Sequence, residues 1–181
     1  MKIKSIVDKT GSFLLNRLSE IIGIFLLIFS ILLLISLVSY SPEDPNFIFP
    51  ENTKIENLLG FQGSYISDLF LQSIGFIAYL IPITLIFTGI SIFKKKEFFL
   101  LIENIFYTVP YSIVGTLFLS HYYKDTFTLY INGNGGFIGN YLNETVLNKI
   151  INLNETIMFY VLFFLTLVLF LISINFNIKN F

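Results

Sequence analysis

Residues 39–75 read SYSPEDPNFIFPENTKIENLLGFQGSYISDLFLQSIG, a polar interlude between two long apolar runs. It carries five acids (Glu43, Asp44, Glu51, Glu56, Asp68) against one base, Lys54. A turn cluster, Ser41-Pro42-Glu43-Asp44-Pro45, opens it, and Gly60-Phe61-Gln62-Gly63 lies further on. After the glycines, Ile66, Leu69, Phe70 and Ile74 fall at helical spacing, while Ser64, Ser67, Asp68 and Gln72 take the other side. The stretch reads as an extracytoplasmic loop whose last third is a helix lying on the membrane surface before the chain enters the bilayer.

Apolar blocks flank it on both sides. The 181 residues are 55% hydrophobic and only 13% charged, with mean hydropathy +0.78. A soluble domain of that size carries about a quarter of charged residues and alternates its polarity. Here the apolar residues come in blocks of about 20, the length that crosses ~30 Å of hydrocarbon. The expected spans are 21–38, 74–93 (with Pro82 inside), 98–119 and 156–174. They leave a tail at 1–20, outside loops at 39–73 and 120–155, and a stub at 175–181. Pro82 is expected to kink its span mildly. A secretory signal peptide does not fit the first 38 residues: the apolar run is too long and no small-x-small cleavage site follows.

Lys94-Lys95-Lys96-Glu97 is the whole connection between the second and third spans, which makes them an antiparallel pair. Its lysines join Lys2, Lys4, Lys9, Arg17 and Lys179 in segments on one side, whereas the two long loops share only Lys54, Lys124 and Lys149. That asymmetry predicts cytoplasmic termini and outside loops. Lys94, Lys95 and Lys96 are first a topology determinant; contact with anionic lipid or DNA is the lesser reading.

The loop motif recurs. Gly60–Ile74, GFQGSYISDLFLQSI, aligns with Gly136–Ile150, GFIGNYLNETVLNKI, with identical Gly, Phe, Gly, Tyr, Leu and Ile and mostly similar pairs between. Each copy lies in an outside loop ahead of a span. The physical reading is a glycine turn, a headgroup-level tyrosine and a surface helix feeding a span; the bland one is chance in a composition poor in residue types. A real repeat predicts an all-α membrane protein of four transmembrane helices arranged as two parallel hairpin units. Short amphipathic surface helices then occupy both extracytoplasmic loops.

No catalytic, cofactor or metal constellation stands out. There is no cysteine and one histidine, His121, which sits beside Tyr122-Tyr123 where an interfacial aromatic belt belongs. Gly133-Asn134-Gly135-Gly136 lacks the Lys-Ser/Thr of a phosphate loop. In the sequon-like Asn154-Glu155-Thr156, Asn154 reads as a helix N-cap opening the fourth span. Glu103 in the third span has three readings: snorkelling or pairing with Lys96, a packing hydrogen bond, or a proton or ion path.

The order Ser-Tyr-Ser-Pro-x-Asp44-Pro45, Asn57-x-x-Gly60-x-x-Gly63, Asp68 and Gly75, followed by Gly136 and Gly139 in the second loop, can now be placed. Its first-loop part resembles the N-terminal four-span membrane domain of FtsK/SpoIIIE-type DNA translocases, and the resemblance runs in order over roughly 21–174. It implies a bacterial inner-membrane protein of cell division and chromosome segregation, whose spans anchor and oligomerise a hexameric DNA motor at the septum. Partners then are the lipid bilayer, further copies and other division membrane proteins. This sequence shows no linker, no Gly-x-x-x-x-Gly-Lys-Ser/Thr and no winged-helix reader. The chain as given is therefore expected neither to hydrolyse ATP nor to bind DNA: it is a fragment, or an anchor whose motor is a separate chain. A rival of another class is a small polytopic transporter or channel subunit, which needs polar groups facing each other near mid-bilayer. A membrane enzyme lacks any acid/base pair in a shared plane.

Overall fold

The computed structural model describes residues 2–45, 54–124 and 131–175, and every regular element among them is helical. Helix α1 is Lys2–Val38, α2 is Gly60–Ile74, α3 is Leu80–Lys95 and α4 is Phe99–Tyr122. In the second half α5 is Gly136–Asn143, α6 is Val146–Ile151 and α7 is Glu155–Ser173. Among the described residues, four helical stretches are long and apolar enough to cross a membrane: Lys9–Val38, Gly60–Lys95, Phe99–Tyr122 and Glu155–Ser173. Their outer surfaces fit that setting. Phe25, Ile28, Phe106 and Phe164 are all exposed, which hydrocarbon tolerates and water does not.

Helix α1 runs unbroken from Lys2 to Val38, so no change of structure marks the boundary expected at residues 20 and 21. At 37 residues it is about 55 Å long, far more than the ~30 Å of a hydrocarbon core, and its basic N-terminal part extends past the span. The second span is not one helix. A short 3₁₀ turn at Gly75–Tyr79 joins α2 to α3, so Pro82 falls in the first turn of α3 rather than inside it. In that turn a proline's missing N–H has no intrahelical partner to lose, and the kink expected from Pro82 is displaced to Gly75.

Packing pairs α1 with α3 and α4 with α7. Gly23 and Gly89 let α1 and α3 touch along their backbones: a Cβ on either would lie 2.9 Å from the other's carbonyl oxygen. Small residues at such crossings are how apolar helices associate when lipid is as apolar as their side chains. Leu33, Leu37, Leu71, Ile74 and Ala78 form one core among α1, α2 and the 3₁₀ turn. Leu117, Phe118, Ile151 and Leu162 form a second among α4, α6 and α7.

Hydrogen bonds fix which ends meet. At one end Tyr79 donates to the Leu37 carbonyl (3.0 Å), the Phe76 amide to that of Asn134 (2.9 Å) and Tyr122 to that of Glu155 (2.9 Å). At the other, the Ser19 hydroxyl donates to the Lys96 carbonyl (3.4 Å) and the Asn175 amide to Asn104 (2.7 Å). The described parts of both long loops therefore share one end. The Lys94–Lys96 link and Asn175 share the other.

Candidate functional site

The loop residues singled out by sequence converge on the last turn of α1. Asp44 is buried, and its two carboxylate oxygens accept from the Glu56 amide (2.7 Å) and the Asn57 amide (2.9 Å). A carboxylate that receives two amide donors closes the loop ends without a cation. Asn57, also buried, reaches across: its side-chain amide donates to the Ser36 carbonyl (2.9 Å) and the Ser39 carbonyl (3.2 Å). Those carbonyls belong to the end of α1, which has no further turn to satisfy them. The Asn57 side-chain oxygen accepts from the Leu59 amide (3.1 Å), and its backbone carbonyl accepts from Gly60 (2.9 Å).

Gly60 then turns the chain into α2 at φ 66°, where a side chain is strained. Gly63, one turn on, has no space for a Cβ: the Asn57 side chain and Leu59 occupy it. Ser36 donates to the Gly63 carbonyl (2.6 Å), and Ser64 to the Pro45 carbonyl (2.8 Å), with Pro45 itself fully buried. Asp68 accepts from the Tyr40 phenol at 3.1 Å. Burial first, and the Asp68 charge second, push the Tyr40 phenol up to about 12.

This arrangement buries the polar side of α2 along with part of its apolar side. Its buried residues are Gly63, Ser64, Ser67, Asp68, Leu71 and Ile74, while Leu69 and Phe61 are exposed. The polar side closes on α1 and its loop. Ile74 joins the core with Leu33 and Leu37, Ile66 and Phe70 pack against it, and Leu69 and Phe61 remain exposed.

The second loop reuses the device with different letters. Gly136 also opens its helix at φ 66°, and Phe137–Tyr141 stack at 6.4 Å as Phe61–Tyr65 approach at 6.1 Å. Gly139 has no space for a Cβ because Thr116 and Ser120 of α4 fill it, as residues before α2 fill the site at Gly63. Asn134, two residues before its glycine turn, donates to the Tyr123 carbonyl at the end of α4. Ser120 donates to Asn140 (2.9 Å), whose amide returns to the Asn132 carbonyl (2.7 Å). The loops touch where Gly75, φ 59°, meets Gly136: a Cβ on Gly136 would lie 2.6 Å from the Gly75 nitrogen. Asn132 spans the contact, its side-chain amide donating to the Gln72 side-chain oxygen at 3.0 Å. The second loop departs from the first beyond Asn143, where the helix breaks and restarts as α6. Asn154 then caps α7 by accepting from the Ile157 amide (3.2 Å). His121 bonds Asn143 at 2.8 Å.

Lys94, Lys95 and Lys96 lie exposed at the far end, with Lys96 in the left-handed conformation (φ 58°) that ends α3. Lys96 pairs with Glu20 at 2.9 Å, and so does Arg17 at 2.6 Å. The pairing considered between Lys96 and Glu103 does not form, because Glu20 on α1 is nearer; Glu103 is exposed on α4.

Sequence reasoning missed a buried polar chain between α3, α4 and α7. Thr84 lies 3.1 Å from the Tyr111 phenol and 3.2 Å from the Ser173 hydroxyl. Asn104 donates to Thr88 (2.7 Å) and accepts from Asn175 (2.7 Å). The Thr84/Thr88 spacing and the isolated Asn104 were the available signals. Reading Glu103 as the notable polar group hid them.

The geometry is one of closure and packing. Residues 16–180 match the family described as the 4TM region of DNA translocase FtsK/SpoIIIE. A DNA translocase FtsK of Azospirillum brasilense is 33% identical over 90 residues, covering 49% of this chain and 14% of that protein. One of Shewanella oneidensis is 33% identical over 106 residues, covering 58% and 11%. One of Rickettsia bellii is 33% identical over 78 residues, covering 43% and 10%. The matched parts are thus a seventh or less of those relatives' length. No solved structure matches. With nearly its whole length matched and four helices fit to span a bilayer, the chain belongs to the four-transmembrane-region family of the FtsK/SpoIIIE DNA translocases.

Proposed function

We propose that this chain is the membrane domain that anchors a DNA translocase in the bacterial inner membrane and gathers its copies, with no chemistry of its own. The match of residues 16–180 to the four-span region of such translocases carries the reading. Its arrangement is two parallel hairpin units, α1 with α2 and α3, then α4 with α5, α6 and α7, each with its surface helix or helices folded onto the preceding span. The equal φ at Gly60 and Gly136 supports the repeat, as do the filled sites at Gly63 and Gly139. Both termini and the lysine link are cytoplasmic, both loops outside, and the septum is the site of action alongside other division proteins. The hexameric state is that of the motor such a domain serves.

The rival reading, a transporter or channel subunit, requires polar groups on facing helices. Thr84, Tyr111 and Ser173 meet that description, but they bond one another, and Asn104 bonds Thr88 and Asn175. Polar groups already satisfied inside the bundle glue helices together and offer nothing to a passing solute.

A fluorescent fusion of the chain should concentrate at division septa, and cross-linking in membranes should trap copies of it. The purified chain should hydrolyse no ATP. Uniform membrane fluorescence with no cross-linked species would remove the anchoring and gathering role. A proton or ion flux through vesicles that is lost in Glu103→Gln would favour the transporter.

A further inference from the structure

We propose that the lysine-bearing end of the bundle holds an anionic phospholipid, seated between the N-terminal part of α1 and the turn joining α3 to α4. A groove of about 580 Å³ lies there. Its walls are apolar, from Leu15 and Leu18 of α1, Phe98 of the turn and Phe99 at the start of α4, with Lys96 and Glu97 also lining it. Leu15 is 65% exposed and Phe99 80%, so these walls are left open by the protein. The groove lies where α1 passes from the uncharged, largely apolar run after Ile21 into a segment bearing Lys9 and Arg17. That is the depth at which one molecule can place acyl chains against leucine and phenylalanine and a phosphate against lysine.

Charge selects the headgroup. Four cations, Arg17, Lys94, Lys95 and Lys96, stand at this end against three carboxylates, Glu20, Glu97 and, one turn into α4, the exposed Glu103, which leaves one net positive charge. Glu20 is shared: it takes both Arg17 (2.6 Å) and Lys96 (2.9 Å), so one of those two positive charges is uncompensated. Lys94 and Lys95 do not line the groove themselves; they lie exposed in the last turn of α3, immediately before its Lys96 wall, and neither makes an ion pair among the described residues. The groove is also built rather than incidental. The buried Ser19 hydroxyl donates to the Lys96 carbonyl (3.4 Å), holding α1 against the turn. Basic pockets between helices at the membrane boundary recognise acidic headgroups, each lysine near the surface strengthening attraction severalfold. A zwitterionic lipid would fill the apolar walls equally well but leave the lysines without a counter-charge. The occupant is therefore a phospholipid of net negative charge. The assignment rests on the membrane-spanning reading and not on anchoring or gathering of copies.

The test is native mass spectrometry of the full chain in non-ionic detergent, with phosphatidylglycerol or phosphatidylcholine of matched acyl chains. Helix melting by circular dichroism is followed in parallel. Phosphatidylglycerol should be retained and raise the melting temperature, and phosphatidylcholine should not. The double variant Lys94→Gln/Lys95→Gln should weaken retention about fivefold for each lysine removed, and Lys94→Arg/Lys95→Arg should restore it. Lys124→Gln/Lys149→Gln, which removes two lysines elsewhere, should change nothing. Leu15→Glu, with all three link lysines intact, should also release the lipid, which keeps the test open if the lysine variants insert poorly. Equal retention of phosphatidylcholine would overturn the proposal. So would an equal loss in the Lys124/Lys149 control, full retention in Leu15→Glu, or the same protection from inorganic phosphate alone.

Discussion

Asn57 does the most with the fewest atoms. Its side-chain amide satisfies two carbonyls at the end of α1, its side-chain oxygen receives Leu59, and its backbone opens the turn to Gly60. Replacing it by Ala leaves buried carbonyls with no donor, a cost of about 1–3 kcal/mol, read as a lower melting temperature in detergent. Gly63→Leu should do more, since the Cβ already collides with Asn57 and Leu59. Gly139→Leu should harm the protein comparably, because Thr116 and Ser120 fill the matching space. Tyr40 adds a pH signature. Its folded-state phenol titrates near 12, above the ordinary value of about 10. Below pH 10 the phenol is neutral folded or unfolded, and its hydrogen bond to Asp68 contributes in full. Between 10 and about 12 only the unfolded phenol ionises, so stability falls across that window. Tyr40→Phe should flatten the fall in a melting series against pH; an unchanged slope would remove Tyr40 as its source.

Among the elements, the four spans were legible because blocks of apolar residues as long as a bilayer is thick have one economical reading. Asn154 was legible as a cap because Asn-Glu-Thr ahead of an apolar run is a local pattern with a local cause. The inward polar face of α2 was not. Periodicity gives two sides of a helix but not how many neighbours it packs against, and here the polar side meets α1 and its loop while Leu71 and Ile74 join the core. Nor was the Thr84–Tyr111–Ser173 and Thr88–Asn104–Asn175 chain, whose bonded partners lie up to 89 residues apart and meet only once three helices have packed. Its consequence is testable at this scale. Asn104→Leu strips Thr88 and Asn175 of a partner, and interhelical bonds of this kind contribute about 0.6 kcal/mol on average and up to ~1.7 kcal/mol. A double-mutant cycle of Asn104→Leu with Thr88→Val, read by unfolding in mixed micelles, should give coupling in that range. Zero coupling would mean the contact is incidental. Asn154→Ala should lower stability by about 1 kcal/mol through the lost α7 cap.

At the scale of the molecule, the proposed repeat rests on contacts that match between the two halves. In each, an asparagine just before a glycine turn donates to carbonyls ending the preceding span: Asn57 to Ser36 and Ser39, Asn134 to Tyr123. In each, a serine of that span meets the second glycine of the pair, Ser36 at Gly63 and Ser120 at Gly139. A parallel repeat requires both loops on one side of the bilayer, because each unit enters and leaves in the same sense. In the proposed topology the lysines choose the side: eight of the eleven bases lie in the N-terminal segment, the link and the C-terminal stub, and the positive-inside tendency predicts such segments in the cytoplasm. Alkaline phosphatase, active only outside the cytoplasm, reads this directly. Fusions after Asn52 and after Asn134 should be active, and fusions after Lys96 and at Phe181 silent. Activity after Lys96 would break the four-span topology. Opposite results at Asn52 and Asn134 would break the repeat, since no axis along the membrane normal relates two units whose loops face different compartments.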